Sequence, residues 1–136
     1  MSKLHIYIYS FSYRNGFPVD DHGHGGGFVF DCRGIHNPGR FEPYKKLTGR
    51  DQAVKDFLVE ESKIEEFLDE VFSVVERSVK KYIDRGFDAL SVYFGCTGGQ
   101  HRSVYSADAL GSYLSDNYDV EVDVHHIEQE KKNWIN

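Results

Sequence analysis

Ten consecutive residues in the second half of the chain, Gly95 to Val104, combine the residue types of an anion-binding loop. The pair Gly98-Gly99 permits a tight turn and a close approach of the backbone to a ligand. Arg102 can hold phosphate oxygens through two charge-assisted hydrogen bonds, and the hydroxyls of Thr97 and Ser103 can donate others. We therefore predict that this segment binds a small anion, with a phosphate group as the best fit.

The elements on either side of this loop must position it. Residues 89–94 form an apolar run typical of a buried strand, and residues 103–114 have helical spacing. At the start of a helix, backbone N–H groups and the helix dipole converge on an anion. No Gly-Lys-Ser or Gly-Lys-Thr follows the glycines, so a Walker nucleotide loop is not indicated. His101 either donates into the site or caps the helix.

Cys96 raises a catalytic alternative. With Gly99, Arg102 and Ser103 it has the spacing Cys-x-x-Gly-x-x-Arg-Ser, which resembles the signature of cysteine-dependent phosphatases. That resemblance implies Cys96 as the nucleophile and Arg102 as the oxyanion holder. Gly95 stands where those phosphatases have a histidine. The available stand-ins for a general acid are Asp20, Asp21 and Asp31.

The rest of the chain reads as alternating strands and helices. We predict strands at 3–9, 28–32, 89–94 and 119–125, and we expect the strand at 28–32 to be buried on both faces. Between these strands we predict a short helix from Asp51, a helix with a Ser62/Glu65 capping box that stops at Gly86, and a helix at 103–114. A polar tail begins at Glu128. This order predicts a single α/β domain with a mainly parallel sheet of four or five strands and helices packed on its faces.

Polar residues cluster where two of these strands end. Ligands of parallel sheets bind beyond the carboxyl ends of the strands, where Asp31-Cys32-Arg33 and Gly95-Cys96-Thr97 would meet. Asp31 and Arg33 face the same side, and they either orient a sugar hydroxyl and a phosphate or form a local salt bridge. Asn37 and Thr48 either join the pocket or cap turns.

The histidines of the glycine-rich first loop give only a weak metal signal. His22 and His24 lie beside Asp20 and Asp21, but the surrounding glycines provide no orienting second shell. We therefore predict no metal and no other cofactor.

Composition narrows the function classes. A chain of 136 residues with 40% hydrophobic and 28% charged residues is typical of one soluble globular domain. The net charge of −6 argues against broad attraction to nucleic acid. No apolar run approaches the roughly 20 residues of a membrane span. Without a secretory signal, and with only two cysteines, we expect a cytoplasmic protein.

Several motifs in one order resemble the C-terminal domain of the RNase adapter protein RapZ and its relatives, over nearly the whole chain. The matching segments are Ser10 to Pro18, Phe28 to Arg33, Asn37-Pro38, Thr48-Gly49 with Asp51, Gly95 to Gly99 and His101 to Val104. The resemblance implies a domain that senses a phosphorylated amino sugar and, in well-studied members, presents a small RNA to a ribonuclease. Those members also carry an N-terminal nucleotide-binding domain, whereas we expect this chain to stand alone.

Together these observations predict a non-catalytic, regulatory domain that binds a small phosphorylated metabolite. An RNA or protein partner follows from the resemblance, we expect a homo-oligomer, and a cysteine phosphatase is the alternative function. The predicted ligand-binding residues are Asp31, Arg33, Asn37, Thr48, Cys96, Thr97, Gly98, Gly99, His101, Arg102 and Ser103.

Overall fold

The computed structural model describes residues 3–19, 23 and 26–133, and these form a parallel sheet with helices. The strands are β1 (His5–Ser12), β2 (Phe28–Asp31), β3 (Ala89–Cys96) and β4 (Glu121–His126). The helices are α1 (Gln52–Glu60), α2 (Ile64–Arg85), α3 (Arg102–Asn117) and α4 (Ile127–Lys131). Single 3-10 turns lie at Tyr13–Asn15, Pro38–Arg40 and Glu42–Tyr44. The α/β class is confirmed.

The strand order β2-β3-β1-β4 places all described strands in parallel. The connections from β2 to β3 and from β3 to β4 step across the sheet in the same direction. Right-handed crossovers of this kind put their helices on the same face. The main core agrees, because apolar residues of α2 and α3 pack with one face of the central strands. Its fully buried members include Ile6, Ile8, Val75, Val79, Val92, Phe94, Leu110 and Leu114.

A second, smaller core joins the outer helices. Val54 and Leu58 of α1 pack against Ile64 and Leu68 of α2, with Tyr105 of α3 at the margin. This cluster holds α1, and the loop that precedes it, next to the start of α3. In the described part of the chain, no helix is both long enough and apolar enough to cross a bilayer.

Two predictions about the first half of the chain are wrong. The strand around residue 29 is not buried on both faces, because β2 pairs only with β3 and forms an edge of the sheet, where Val29 is 46% exposed. The Ser62/Glu65 capping box does not form either. The Ser62 hydroxyl donates to the carbonyl of His36 at 2.6 Å, and Lys63 takes the N-cap position with φ at 54°.

The C-terminal segment also differs from its prediction. Residues from Glu128 onward were expected as a polar tail, but 127–131 form α4, in which Glu128 and Gln129 are buried. Charge alone indicated exposure, whereas tertiary contacts with β1 bury this segment. The predicted stop at Gly86 is confirmed, since its N–H donates back to Tyr82 and Ile83 with φ at 69°.

The left-handed N-cap of α2 makes a stability prediction. A side chain with a Cβ is disfavoured at φ 54°, so Lys63→Gly should raise the free energy of unfolding by up to about 1 kcal/mol. Lys63→Ala retains the Cβ and should give no such gain. Lys80→Gly, at an exposed position inside the same helix, should instead lower stability by about 1 kcal/mol. Urea denaturation of the three variants measures these changes in the free energy of unfolding. Equal effects of glycine at positions 63 and 80 would contradict the prediction that the N-cap is strained.

Candidate functional site

Within the predicted anion-binding segment, Gly95 to Val104, residues 96–103 form the anion loop, which connects the carboxyl end of β3 to the first turn of α3. Cys96, His101, Arg102 and Ser103 are all buried. The Cys96 thiol lies 3.1 Å from the Ser103 hydroxyl, within hydrogen-bond reach. No side chain caps α3, so the N–H groups of its first turn stay available to a ligand.

Two glycines permit this loop to pack so closely. At Gly99, φ is +65°, and a Cβ would lie 2.7 Å from Cγ of Glu128 and 3.0 Å from the backbone of Phe11 and Ser12. At Gly95, a Cβ would lie 2.5 Å from the rings of Phe11 and Tyr13. The histidine that phosphatases place before the nucleophile therefore has no room at position 95.

Arg102 is the central cation of the site. It is 4% exposed, and its Nη1 donates to the carbonyls of Arg33 at 2.9 Å and Ile35 at 2.8 Å. Its Nε is buried and has no hydrogen-bond partner among the described residues. A buried guanidinium with an unused donor is costly unless another group accepts from it.

A cavity of about 320 Å³ opens over the loop. It is lined by Arg14, Asn37, Gly39, Lys45, Cys96, Thr97, Gly98, Gln100, His101 and Arg102. Three of these side chains are cations and none is a carboxylate. The lining therefore favours an anion over a cation.

The predicted residues divide into three groups. Asn37, Cys96, Thr97, Gly98, His101 and Arg102 line the cavity, and Gly99 and Ser103 lie in the loop behind it. Asp31, Arg33 and Thr48 do not line it. Asp20, Asp21, His22 and His24 lie outside the described residues, and the described part of the chain holds no cluster of three metal-binding side chains.

Asp31 and Arg33 form a local ion pair, which is one of the two alternatives that the sequence left open for them. Arg33 donates to both carboxylate oxygens, at 2.9 and 2.8 Å, and its guanidinium lies 3.8 Å above the ring of Tyr13. These hydrogen bonds hold the pKa of Asp31 below its usual range. The pair flanks the strand end rather than facing the cavity, and only the carbonyl of Arg33 reaches the site, through Arg102.

Thr48 shapes a turn. Its N–H donates to the carboxylate of Asp51 at 2.7 Å, and its hydroxyl accepts from the N–H of Arg50 at 3.2 Å. Asn37 similarly accepts from the N–H of Gly39 at 2.9 Å, yet it also lines the cavity. The turn-capping reading thus describes the observed bonds of both residues.

Sequence reasoning missed Arg14, Gly39, Lys45 and Gln100 as cavity residues. Gln100 Nε2 donates to the carbonyls of Lys45 at 2.8 Å and Leu47 at 2.7 Å, and so fixes the segment that carries Lys45. Lys45 was recognisable only as part of a basic run, and Arg14 only as a member of a matching segment. Nothing local in the sequence links either residue to the anion loop.

His101 anchors the same wall. Its Nε2 donates to the carbonyl of Tyr44 at 2.8 Å, and it makes no side-chain cap for α3. Burial lowers the pKa of His101 below its ordinary value of 6.5. The imidazole is therefore kept neutral near pH 7, and it serves the site chiefly by holding the segment around Tyr44.

The glycine pair provides a matched test of the loop. Gly99→Ala forces a Cβ against Glu128 and the β1 backbone, so it should lower the free energy of unfolding by about 1 to 3 kcal/mol. Gly98→Ala meets nothing within 4 Å and should stay within about 0.5 kcal/mol of the wild type. Chemical denaturation measures the free energy of unfolding of both variants. Equal values for the two would contradict the described packing at Gly99.

The buried histidine predicts a pH dependence. Because the folded-state pKa of His101 is depressed, the unfolded state binds the proton more readily. Its stabilising contribution is complete above the unfolded pKa near 6.5 and is lost as the pH falls below it. Wild-type protein should thus lose more unfolding free energy between pH 7 and pH 5 than His101→Gln, whose amide can still donate to Tyr44. Parallel curves for the two proteins, each referenced to pH 8, would be inconsistent with a buried neutral histidine.

Comparison with known proteins gives consistent matches. "Nucleotide-binding protein" of Thermosipho africanus (strain TCF52B) is 36% identical over 118 residues, 87% of this chain and 40% of the relative. "Nucleotide-binding protein" of Lactiplantibacillus plantarum (strain ATCC BAA-793 / NCIMB 8826 / WCFS1) is 34% identical over 129 residues, 95% of this chain and 42% of the relative. The chain spans about two fifths of the length of these curated relatives.

The family comparison covers nearly the whole domain. The family model described as the RapZ C-terminal domain matches residues 4–130, a range that contains every strand and all the described residues of the cavity. This chain therefore belongs to the RapZ C-terminal domain family.

Proposed function

We propose that the cavity over residues 96–103 binds a small phosphorylated metabolite, and that the domain is regulatory and does not turn the ligand over. The ligand class we favour is a phosphosugar, with an amino-sugar phosphate as the member that the family resemblance implies. The phosphate group would sit at the start of α3, against Arg102 and the loop N–H groups.

The unused donor on Arg102 carries this proposal. Its Nη1 is committed to two carbonyls, whereas the buried Nε has no acceptor among the described residues. A phosphate oxygen in the adjoining cavity would supply the missing acceptor and neutralise the buried charge. Ligand binding would thereby offset the cost of burying a donor that has no acceptor among the described residues.

The other two cations favour an anion with extended charge. Arg14 and Lys45 are exposed at the cavity wall, and among the described residues Lys45 forms an ion pair only with Glu42, at 3.3 Å, which is itself 84% exposed. Exposed pairs of this kind are weak, so Lys45 remains available to a ligand. A cavity of about 320 Å³ suits a sugar-sized molecule.

A cysteine phosphatase is the competing function. Its support is the Cys96 thiol, which lines the cavity and contacts the Ser103 hydroxyl at 3.1 Å. Against it, no carboxylate among the described residues lines the cavity to act as a general acid, and Asp31 is engaged by Arg33. Binding without turnover therefore explains more of the described geometry.

Other properties remain predictions. The relatives are named nucleotide-binding proteins, but each is more than twice as long as the part matched here. Nucleotides thus belong in any ligand panel. An adapter role with an RNA or protein partner follows from the family, and a homo-oligomer is expected.

Thermal unfolding with a ligand panel tests the proposal. Inorganic phosphate, sulfate, hexose phosphates, amino-sugar phosphates and nucleotides are compared, because a ligand that binds the folded state raises Tm. At a concentration of about 100 Kd the stabilisation should reach about 2.7 kcal/mol. Lys45→Ala should reduce the shift given by a phosphosugar, whereas Lys46→Ala, an exposed neighbour outside the cavity, should preserve it.

Three outcomes would overturn the proposal. The absence of a shift with every anion would show that the loop is not a ligand site in this protein. Steady phosphate release that is abolished by Cys96→Ser would establish the phosphatase instead. Equal losses in Lys45→Ala and Lys46→Ala would place binding somewhere other than this cavity.

A further inference from the structure

A buried carboxylate, Glu128, lies behind the anion loop without lining its cavity. The Glu128 side chain is 2% exposed although it belongs to the short C-terminal helix α4. Acidic side chains are seldom buried this completely unless they are paired. Its location therefore calls for a role.

One end of Glu128 holds the segment that carries Arg14. Its Oε1 accepts a hydrogen bond from Asn15 Nδ2 at 2.8 Å. Asn15 ends the 3-10 turn Tyr13–Asn15, in which Arg14 projects from the adjacent position to line the cavity. The Arg14 guanidinium has no hydrogen bond or ion pair with a described residue, so its placement depends on this turn.

The stem of Glu128 supports the loop itself. Its Cγ is the atom nearest to where a Cβ would stand on Gly99, at 2.7 Å. Gly99 has no side chain to fill that space, and the methylenes of Glu128 occupy it instead. The same residue thus contacts both the glycine turn and the turn that carries Arg14.

Two lysines at the end of α4 lie close to the charge of Glu128. Lys131 Nζ and Lys132 Nζ each lie 3.7 Å from its carboxylate oxygens, and both lysine side chains are more than half exposed. Glu128 is absent from the cavity lining. An anion in the cavity would therefore meet Arg14 and Arg102 without an opposing carboxylate between them.

We propose that Glu128 is a positioning residue for the anion site: through Asn15 it orients Arg14 toward the ligand, and through its stem it supports Gly99. The C-terminal helix is then a structural part of the binding site, although it contributes no atom to the cavity. This inference rests on the proposed function, because it concerns affinity for the same ligand.

A double-mutant cycle tests the path through Asn15 by calorimetry with inorganic phosphate and a hexose 6-phosphate as probes. Arg14→Ala should weaken binding by about tenfold, the loss of one charge-assisted hydrogen bond. Asn15→Ala should weaken it by about threefold, since Arg14 is retained but no longer held. The double variant should bind no more weakly than Arg14→Ala, because both changes act on one contact.

Two further variants separate positioning from folding. Glu128→Gln keeps the accepting oxygen and the stem, so its affinity should stay within about twofold of the wild type. Asn117→Ala breaks an exposed asparagine hydrogen bond at the far end of α3, to the Tyr113 carbonyl, and should leave affinity unchanged. Asn15 is exposed, so its variant carries the test even if changes at the buried Glu128 impair folding.

The outcomes distinguish the two proposals. Wild-type affinity in Asn15→Ala, or losses that add in the double variant, would overturn the positioning role while binding itself stood. If the wild-type protein bound neither probe, the proposed function would be wrong and this inference would fall with it.

Discussion

The buried guanidinium of Arg102 joins the two halves of the chain at the carboxyl edge of the sheet. Through Nη1 it holds the carbonyls of Arg33 and Ile35, which follow β2, while its own backbone begins α3. A positive charge at 4% exposure is tolerated only if its donors are satisfied. Two N–H donors of Nη1 are satisfied by main-chain carbonyls, whereas the buried Nε has no acceptor in the described part of the chain. The same side chain thus closes the fold at this edge and places a buried positive charge beside the cavity.

Around this cation, the wall of the cavity is built from backbone carbonyls rather than acidic side chains. Gln100 and His101 donate to the carbonyls of Tyr44, Lys45 and Leu47, and the N–H of Gly49 donates back to Gln100 at 2.9 Å. Neutral acceptors anchor the segment without cancelling the positive potential that Arg102 and Lys45 create. Carboxylates in the same positions would instead have reduced that positive potential.

The parts of the site that are contiguous in sequence were predictable. Residues 96–103 could be recognised because the strand end, the glycine turn, the arginine and the helix start are adjacent in the sequence. Each of these features depends only on local geometry. Arg14 and Lys45 could not be predicted as cavity residues, because they reach the cavity through tertiary contacts made by Asn15 and Gln100. The sheet was predicted for the same reason as the loop: apolar periodicity is local. The failure of the predicted Ser62/Glu65 capping box and the burial of Glu128 both depend on partners far away in the chain.

The central place of β1 in the sheet bears on how the protein folds. This first strand pairs with β3 and with the last strand, β4, so that Ser10 and His126, 116 residues apart, form a buried hydrogen bond. Contacts of such long range impose a large loop-closure entropy before they stabilise anything, and they slow folding. During synthesis β1 therefore cannot complete its pairing until the distant strand β4 has been made. The turn that carries Arg14 is likewise anchored only at that stage, because Asn15 donates to Glu128 of α4, the element that follows β4.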